Sequence, residues 1–238
     1  MKKVFCLLLV IVNLNCFAQA KKWFISFSAA PTLGGPSSSI KKQFVNQGFD
    51  QTSSFNFLGI EGSTHYPVVM KDAALLVRGG ARLNDRRSIY FTIGQSAAAT
   101  VEGFKNEGYS DFLGIFGGSY GQNISIDYNT YQFTAGYLYS FPNTRSKIGF
   151  GPSFFLFDYS ITAGDNNKES HTAVSPGATF TARLPLGKER KLFGVELVFE
   201  GNAAMPVKME GEMEGSSFQP GTVSMCSANI GLAFCFRK

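Results

Sequence analysis

Hydrophobic and polar residues alternate along much of this chain, most clearly in the twelve-residue stretch from Lys191 to Asn202. In an extended chain successive side chains point to opposite faces. One face of this stretch is therefore wholly apolar, with Phe193, Val195, Leu197 and Phe199. The other face carries the carboxylates of Glu196 and Glu200. The pattern predicts a β-strand that has an apolar medium on one side and a polar one on the other.

The same period of two predicts further strands and an all-β fold. The eight predicted strands are Trp23–Ala30, Ser53–Tyr66, Ala73–Leu83, Ile124–Ser140, Lys147–Thr162, Thr172–Leu184, Lys191–Val207 and Thr222–Phe236. Asn84–Asn123 is open to two interpretations. As one long loop it leaves eight strands, which we favour, and as a hairpin it raises the count to ten.

The predicted connections alternate in length. Three are short turns, namely Pro67–Asp72, Phe141–Ser146 and Pro185–Arg190. Four are longer, namely Pro31–Thr52, Asn84–Asn123, Ala163–Ser170 and Lys208–Gly221. Transmembrane barrels have short periplasmic turns and longer outer loops. The rhythm therefore favours a closed antiparallel up-and-down transmembrane β-barrel over a soluble secreted β-sandwich, which stays open as an alternative.

The N-terminus predicts export. Met1-Lys2-Lys3 is basic, Val4–Val12 is apolar, and Ala18-Gln19-Ala20 has the small-x-small form of a cleavage site. These features indicate a signal peptide over residues 1–20, cut after Ala20, and one barrel domain over residues 21–238.

Composition agrees with an exported barrel. Removing Lys2 and Lys3 leaves 20 basic against 17 acidic residues, a net charge of +3, which is too small to indicate nucleic-acid binding. Charged residues are 16% of the chain, whereas Gly (26) and Phe (24) are abundant. Beyond the signal peptide no apolar run is long enough for a membrane helix, so a spanning structure would have to be a closed barrel.

Four features of the chain point to a known family: the signal peptide, the Trp- and Phe-rich first strand, the alternating connections, and the aromatic ending Gly231-Leu232-Ala233-Phe234-Cys235-Phe236. In these features the chain resembles the small bacterial outer-membrane β-barrel family, of OmpA-like transmembrane type. Arg237 and Lys238 follow the last aromatic residue, which usually ends the chain in that family. The resemblance implies residence in a Gram-negative outer membrane. It also implies contact with outer-membrane lipids and lipopolysaccharide, and insertion by the barrel assembly machinery. We expect a monomer.

The strand faces predict a charged interior. Six residues share the inward face, namely Glu61, Arg78, Arg82, Arg183, Glu196 and Glu200. An eight-stranded barrel is just wide enough for side chains to fill it, and charges inside must be paired. We therefore expect a structural ion-pair network in the lumen, and favour it over a gated pore.

Signals for catalysis, cofactors and metals are weak. Beyond the signal peptide the histidines are His65, predicted at a periplasmic turn, and His171, beside Glu169 and Ser170 at the outer rim. Adjacent residues on a strand point apart, so this order does not build a catalytic triad. We predict no catalytic, cofactor or metal residues, and no bridge between Cys226 and Cys235.

The expected function is accordingly non-enzymatic: a structural or surface-interaction role through long extracellular loops. Two membrane alternatives remain, a narrow pore for small solutes or ions and a lipid-modifying enzyme that depends on His171.

Overall fold

A computed structural model describes residues 22–112, 115–164, 167–187, 193–211 and 216–237. The predicted signal peptide lies outside these residues. One helix, α1, spans Pro36–Asn46. The strands are β1 (Lys22–Gly34), β2 (Thr52–Phe57), β3 (Ile60–His65), β4 (Val68–Met70), β5 (Ala73–Arg82), β6 (Arg87–Phe112), β7 (Phe116–Ser140), β8 (Lys147–Ala163), β9 (Asn167–Leu186), β10 (Phe193–Ala204), β11 (Val207–Lys208), β12 (Thr222–Val223) and β13 (Ser227–Arg237). Within the described part of the chain, no helix is long and apolar enough to cross a bilayer.

Eight of these strands form a closed ring. The order is β1-β5-β6-β7-β8-β9-β10-β13, each neighbour is antiparallel, and β13 pairs with β1 to close the circle. If the small elements outside the ring are left aside, strands that are neighbours in the ring are also consecutive in the sequence. The prediction of an eight-stranded up-and-down barrel is therefore confirmed.

The ring has a short-turn end and a long-loop end. Residues 83–86 and 141–146 connect strands at the short-turn end, where β1 and β10 begin and β9 and β13 end. Residues 35–72 and 205–226 make the two long connections at the other end.

Near the short-turn end the barrel is apolar outside and polar inside. Outward side chains on β7 are Tyr131, Phe133, Ala135, Tyr137 and Tyr139, while Thr130, Gln132 and Thr134 are buried inside. This band, here called the belt, covers nine residues of β7, about what a tilted strand needs to cross the hydrocarbon core. An apolar outside of that height matches a lipid environment.

Above the belt the pattern inverts. On β7 the outward residues become Asn123, Ser125, Asp127 and Asn129, and the inward ones become Ile124, Ile126 and Tyr128. On β8 the same change falls between outward Leu156 and outward Asp158. Tyr131 lies opposite both Gln95 and Leu156, so the change occurs at one level on three adjacent strands. The upper barrel is therefore built like a water-soluble protein with its own apolar core.

The core of the upper barrel is filled by the long connections. Ile40 and Phe44 of α1 and the nearby Phe49 are fully buried there. They pack with residues of the last long connection, namely Val207, Met209, Phe218, Val223 and Met225. The rings of Phe44, Phe49 and Phe218 lie 5.1 to 6.1 Å apart. We call this insert the plug, because it occupies the mouth of the barrel.

Two ring strands continue far beyond their neighbours. β6 has 26 residues and β7 has 25, and they stay paired from Arg87 opposite Tyr139 to Phe112 opposite Phe116. β2 pairs with the end of β7, and β3 pairs with β2. The result is a four-stranded sheet, made of β2, β3 and the distal parts of β6 and β7, which we call the projecting sheet.

The predicted number of ring strands was right, but the segments predicted to form them were partly wrong. Ser53–Tyr66 is not a ring strand, because the chain reverses at Leu58 and Gly59, whose φ angles are 52° and 80°. Asn84–Asn123 is neither one loop nor an isolated hairpin, since it contains all of β6 and the beginning of β7. A two-residue period does not distinguish a ring strand from a strand of a projecting sheet.

Four smaller expectations also need correction. The Pro31–Thr52 loop contains α1, and the polar loop Lys208–Gly221 includes the buried plug residues Met209 and Phe218. The final strand is divided into β12 and β13. Pro67–Asp72 lies at the long-loop end, because the chain from β1 to β5 never returns to the short-turn end. These segments pack on the upper core, whose partners are distant in sequence.

Candidate functional site

Inside the belt, Arg78 is the centre of the first charged cluster. It extends from β5 and pairs with Glu200 of β10 on the opposite wall, and both residues are 3% exposed. Its Nε donates to Thr92 Oγ1 at 2.7 Å, and its guanidinium lies 4.5 Å from the centre of the Tyr90 ring. Gln132 Nε2 donates to the other oxygen of Glu200 at 3.1 Å. The ion pair therefore bridges the lumen.

A second cluster lies nearer the short-turn end. Arg183 Nη1 lies 3.2 Å from Glu196 Oε2, and Lys147 pairs with the other oxygen of Glu196. Arg183 Nη2 also donates to Ser26 Oγ at 2.9 Å. Side chains from β1, β8, β9 and β10 meet here, so this cluster also ties opposite walls together. Buried charges in such a space are stable only when paired and hydrogen-bonded.

Small polar side chains fill the remaining width. Thr134 and Thr179 are each hydrogen-bonded to Ser153 at 2.7 Å. Thr179 also donates to Asn202 Oδ1 at 2.9 Å, and Asn202 Nδ2 donates to Ser227 Oγ at 3.2 Å. Together with the two charged clusters, this network occupies the belt interior from wall to wall.

The structure brings together four of the six residues that the sequence analysis placed in the lumen: Arg78, Arg183, Glu196 and Glu200. Glu61 is instead exposed on β3 of the projecting sheet, because that hairpin is not part of the ring. Arg82 has the same strand parity as Arg78 but is exposed at the end of β5. Lys147 was missed. It shares odd parity with Ser153 on β8, a strand whose facing the sequence left undecided.

Above the belt, one carboxylate connects the plug to the wall. Asp72 Oδ2 accepts a hydrogen bond from Ser37 Oγ of α1 at 2.6 Å and one from Tyr128 Oη of β7 at 3.2 Å. Burial raises the pKa of Asp72 above its ordinary value, while the two hydrogen bonds act in the opposite direction. Asp72, at the contact between helix and barrel, therefore keeps its proton up to a higher pH than an ordinary Asp side chain does.

The two histidines occupy different surroundings from those expected. His65 lies on β3, at the long-loop end rather than at a periplasmic turn, and its Nδ1 is 2.9 Å from Thr52 Oγ1. The His171 ring stacks on Tyr159 with centroids 5.4 Å apart, and its Nε2 is 3.4 Å from Glu169. Ser170 has the opposite strand parity from His171, so these three side chains do not assemble a triad.

The projecting sheet has an apolar face and a polar face. Pairing register places Phe55, Phe57, Ile60, Phe112, Phe116 and Tyr120 on one face. Asn56, Glu61 and Asp111 lie on the other face. Within the sheet, aromatic rings lie across glycines of the neighbouring strand, Phe55 over Gly62 and Tyr120 over Gly108. A Cβ added at either glycine would come within 2.5 Å of the ring.

An antiparallel ring with an apolar belt outside and paired charges inside defines a transmembrane β-barrel. No protein-family model matches the chain, and neither does any curated protein. Solved structures of outer-membrane β-barrels are similar to it. Ail, the attachment invasion locus protein of Yersinia pestis, is 11% identical, with 90% of this chain and 98% of that chain covered and a TM-score of 0.40.

Two further solved structures are similar over most of their length. Neisserial surface protein A is 10% identical, with 90% of this chain and 96% of that chain covered and a TM-score of 0.40. The translocator domain of the autotransporter NalP from Neisseria meningitidis is 10% identical, with coverages of 96% and 93% and a TM-score of 0.33. The class assignment rests on the ring of strands and its belt.

Proposed function

We propose that this chain is an exported, monomeric outer-membrane barrel of the Gram-negative type, which acts without catalysis as a surface-interaction protein. In this arrangement the short-turn end faces the periplasm and the long-loop end faces the outside. The belt contacts outer-membrane lipids, the residues just above it contact lipopolysaccharide, and the barrel assembly machinery inserts the chain. OmpA-like architecture belongs to the same proposal.

The observation that carries the proposal is the length of β6 and β7. A transmembrane strand needs about 9–11 residues. These two strands have 26 and 25, and about half of the surplus continues past the upper barrel into the projecting sheet. A structure that only anchored or stabilised the membrane would have no use for such a sheet, whereas binding residues commonly lie on outer extensions of a rigid scaffold.

The interior supports a closed barrel over the pore alternative. Conduction needs a continuous aqueous path, but the belt interior is crossed by the Arg78–Glu200 pair and by the cluster in which Arg183 contacts both Glu196 and Ser26. The plug lies above both pairs, with Phe44 and Phe49 fully buried in it. An ion would have to displace an apolar core and then two buried ion pairs.

The two cysteines offer a test of membrane placement. Cys226 is exposed at the long-loop end, whereas Cys235 is buried inside the belt. A membrane-impermeant maleimide added to intact cells should label Cys226, and Cys235 should react only after unfolding. Cleavage after Ala20 should leave Cys226 and Cys235 as the cysteines of the mature chain, and an intact mass starting at Lys21 would verify it.

Three outcomes would contradict the proposal. Labelling of Cys226 only after the cells are permeabilised would reverse the orientation or move the protein to another compartment. Recovery in the soluble fraction without detergent would favour a secreted β-sandwich. Loss of a lipid modification in a His171→Ala strain would restore the enzyme alternative.

A further inference from the structure

The same tetrapeptide occurs at both reversals of the projecting sheet. Phe-Leu-Gly-Ile occupies positions 57–60, where β2 turns into β3, and positions 112–115, where β6 turns into β7. The backbone N–H of Leu58 donates to the carbonyl oxygen of Ile115 at 2.8 Å, so the two reversals lie side by side. Gly59, with a φ of 80°, is the residue that such a hairpin turn favours, whereas Leu58 and Ile115 add apolar side chains beside each other at the two reversals.

These reversals form an exposed apolar surface at the end of the molecule. We call it the apex and define it as Phe57, Leu58, Ile60, Phe112, Ile115 and Phe116. Each of the six side chains is 40 to 67% exposed. A contiguous apolar patch on a surface that faces water indicates a binding site.

Three backbone N–H groups at the apex reversals are paired within the protein. Besides the Leu58 bond, the N–H of Gly59 donates to Asn56 Oδ1 at 3.1 Å, and the N–H of Ile115 donates to the Phe112 carbonyl oxygen at 3.1 Å. Exposed turns ordinarily leave such donors to water. Donors paired within the protein are what an apolar medium requires, because hydrocarbon offers no hydrogen-bond partner.

Polarity changes in steps below the apex. Glu61 and Asp111 directly follow and precede apex residues, but on the polar face of the sheet. Tyr109 and Tyr120 are about half exposed further back. Tyr120 is four residues from Phe116, roughly 13 Å of extended chain. Aliphatic and Phe side chains at the end, with tyrosines behind them, match the order found across a membrane–water interface.

The apolar surface is concentrated at the end of the sheet rather than along its face. Behind the apex the same face contains Gly62, Gly108, Ser110 and Gly118, and the Phe55 and Tyr120 rings lie across two of these glycines. A second copy packed against this face would cover Phe55 and Tyr120, which are 54% and 53% exposed, but Leu58 and Ile115 lie in the reversals rather than on the face. Insertion of the end of the sheet uses all six apex side chains at once.

The apex cannot reach the bilayer in which its own barrel sits. The last outward apolar residue of β6 in the belt is Ile93, and the strand continues to Phe112, roughly 60 Å further along an extended chain. A typical strand tilt still leaves the apex several tens of ångströms above the outer leaflet. The medium that the apex meets is therefore a different surface.

From this arrangement we infer that the apex inserts shallowly into the outer leaflet of an apposed lipid bilayer and so attaches the barrel's membrane to a second one. This inference rests on the proposed surface role and names its partner class. Because acidic residues flank the apex and no Lys or Arg belongs to it, attachment is apolar in origin. Zwitterionic phosphatidylcholine is the expected lipid, with weak dependence on salt and reduced attachment to anionic vesicles.

A flotation experiment tests this inference. The mature chain, held in lipid nanodiscs, is mixed with phosphatidylcholine vesicles and centrifuged through a density gradient. The apex variant is Leu58→Ser with Ile115→Ser. The matched control is Val45→Ser with Met205→Ser, which removes two exposed apolar side chains of the long-loop end outside the apex. All forms must first retain the heat-dependent gel migration of a folded barrel.

The wild-type and control proteins should float with the vesicles, and the apex variant should lose at least ten-fold of that attachment. The inference is overturned if the wild-type protein does not float or if both variants lose attachment equally. It is also overturned if the apex variant changes only self-association of nanodisc particles, or if capture requires a protein in the vesicles. Labelling of Cys226 on cells tests the surface location separately from these outcomes. Failure of the lipid inference would therefore leave the proposed surface role standing.

Discussion

At the scale of single residues, the interior of the belt is governed by charge pairing. Arg78, Arg183, Glu196 and Glu200 are each at most 3% exposed, and each takes part in an ion pair: Arg78–Glu200 crosses the lumen, and Arg183–Glu196 joins two neighbouring strands. Such a pair adds little stability beyond an apolar replacement of the same volume, but removing one partner leaves an uncompensated buried charge. Replacing one partner should therefore destabilise the barrel strongly, whereas replacing both partners with apolar residues should change its stability little.

We therefore expect Glu200→Leu to lower the free energy of unfolding by about 3–5 kcal/mol, because Arg78 would remain buried without its partner. The double variant Arg78→Met with Glu200→Leu should recover most of that loss. Denaturant titration in detergent micelles or lipid vesicles would measure both. Glu61→Leu is the matched control. Since Glu61 is exposed on β3, its replacement should change stability by less than about 0.5 kcal/mol. Equal losses in the single and double variants would contradict this account.

Asp72 gives a pH dependence whose sign follows from its raised pKa. The folded state holds the Asp72 proton at pH values where the unfolded chain has released it. The folded state therefore binds more protons in the window between the ordinary pKa of 3.8 and the raised one, so stability falls as pH rises through that window.

Asp72→Asn should flatten this part of the pH profile, since an amide does not titrate. The measurement is the denaturation midpoint of the upper barrel as a function of pH, followed through protection of α1 from protease. A variant whose profile retains the wild-type slope would show that another group is responsible.

At the scale of elements, the main feature is the inversion along β6, β7 and β8. Below Tyr131 the outward side chains of β7 meet an apolar medium, and above it they meet water. On β6 the change coincides with a register shift between Gln95 and Ala97, which moves the inward face from even to odd positions. A bulge of this kind lets one strand serve two environments.

Two matched substitutions on β7 test the position of the boundary. Phe133→Arg places a guanidinium in the upper half of the belt and should cost more than about 1 kcal/mol, approaching the cost of about 2–4 kcal/mol for a lipid-facing charge at the bilayer centre. Asn129→Arg lies four residues away on the same face but above the belt, so it should change stability by less than about 1 kcal/mol. Unfolding titrations in lipid vesicles would measure both. Similar costs at the two positions would place the boundary elsewhere.

At the scale of the whole molecule, three regions are stacked on one ring: a belt closed by ion pairs, an upper barrel filled by the plug, and the projecting sheet. The interior of the first two is continuous with side chains, from the Lys147 cluster to the rings of Phe44 and Phe218. This continuity gives a direct prediction for transport.

Purified protein reconstituted in a planar bilayer should show no discrete conductance steps, because an ion path would have to cross both the plug and the two ion-pair clusters. Insertion must be verified separately, for example by protease protection of the belt strands. Regular steps of uniform size from verified insertions would favour the narrow-pore alternative and would require the plug to leave the barrel.

Much of the belt could be predicted from the sequence, because alternation is a local property. Phe193, Val195, Leu197 and Phe199 share a face in any extended chain, and Glu196 and Glu200 necessarily share the other. The same reasoning correctly grouped Arg78 with Arg183. It failed for Glu61, where the period is equally clear but the strand lies outside the ring, and for Lys147, where a run of aromatics hides the parity.

The sequence by itself determined that this is a chain of amphipathic strands, and which residues of each strand share a face. Only the tertiary structure decided which strands close the ring, where lipid gives way to water, what fills the mouth, and that Leu58 and Ile115 meet at one end. The physical reason is that alternation reports which side chains share a face. The medium on that face depends on contacts between residues far apart in the chain, such as Leu58 with Ile115 and Phe44 with Phe218.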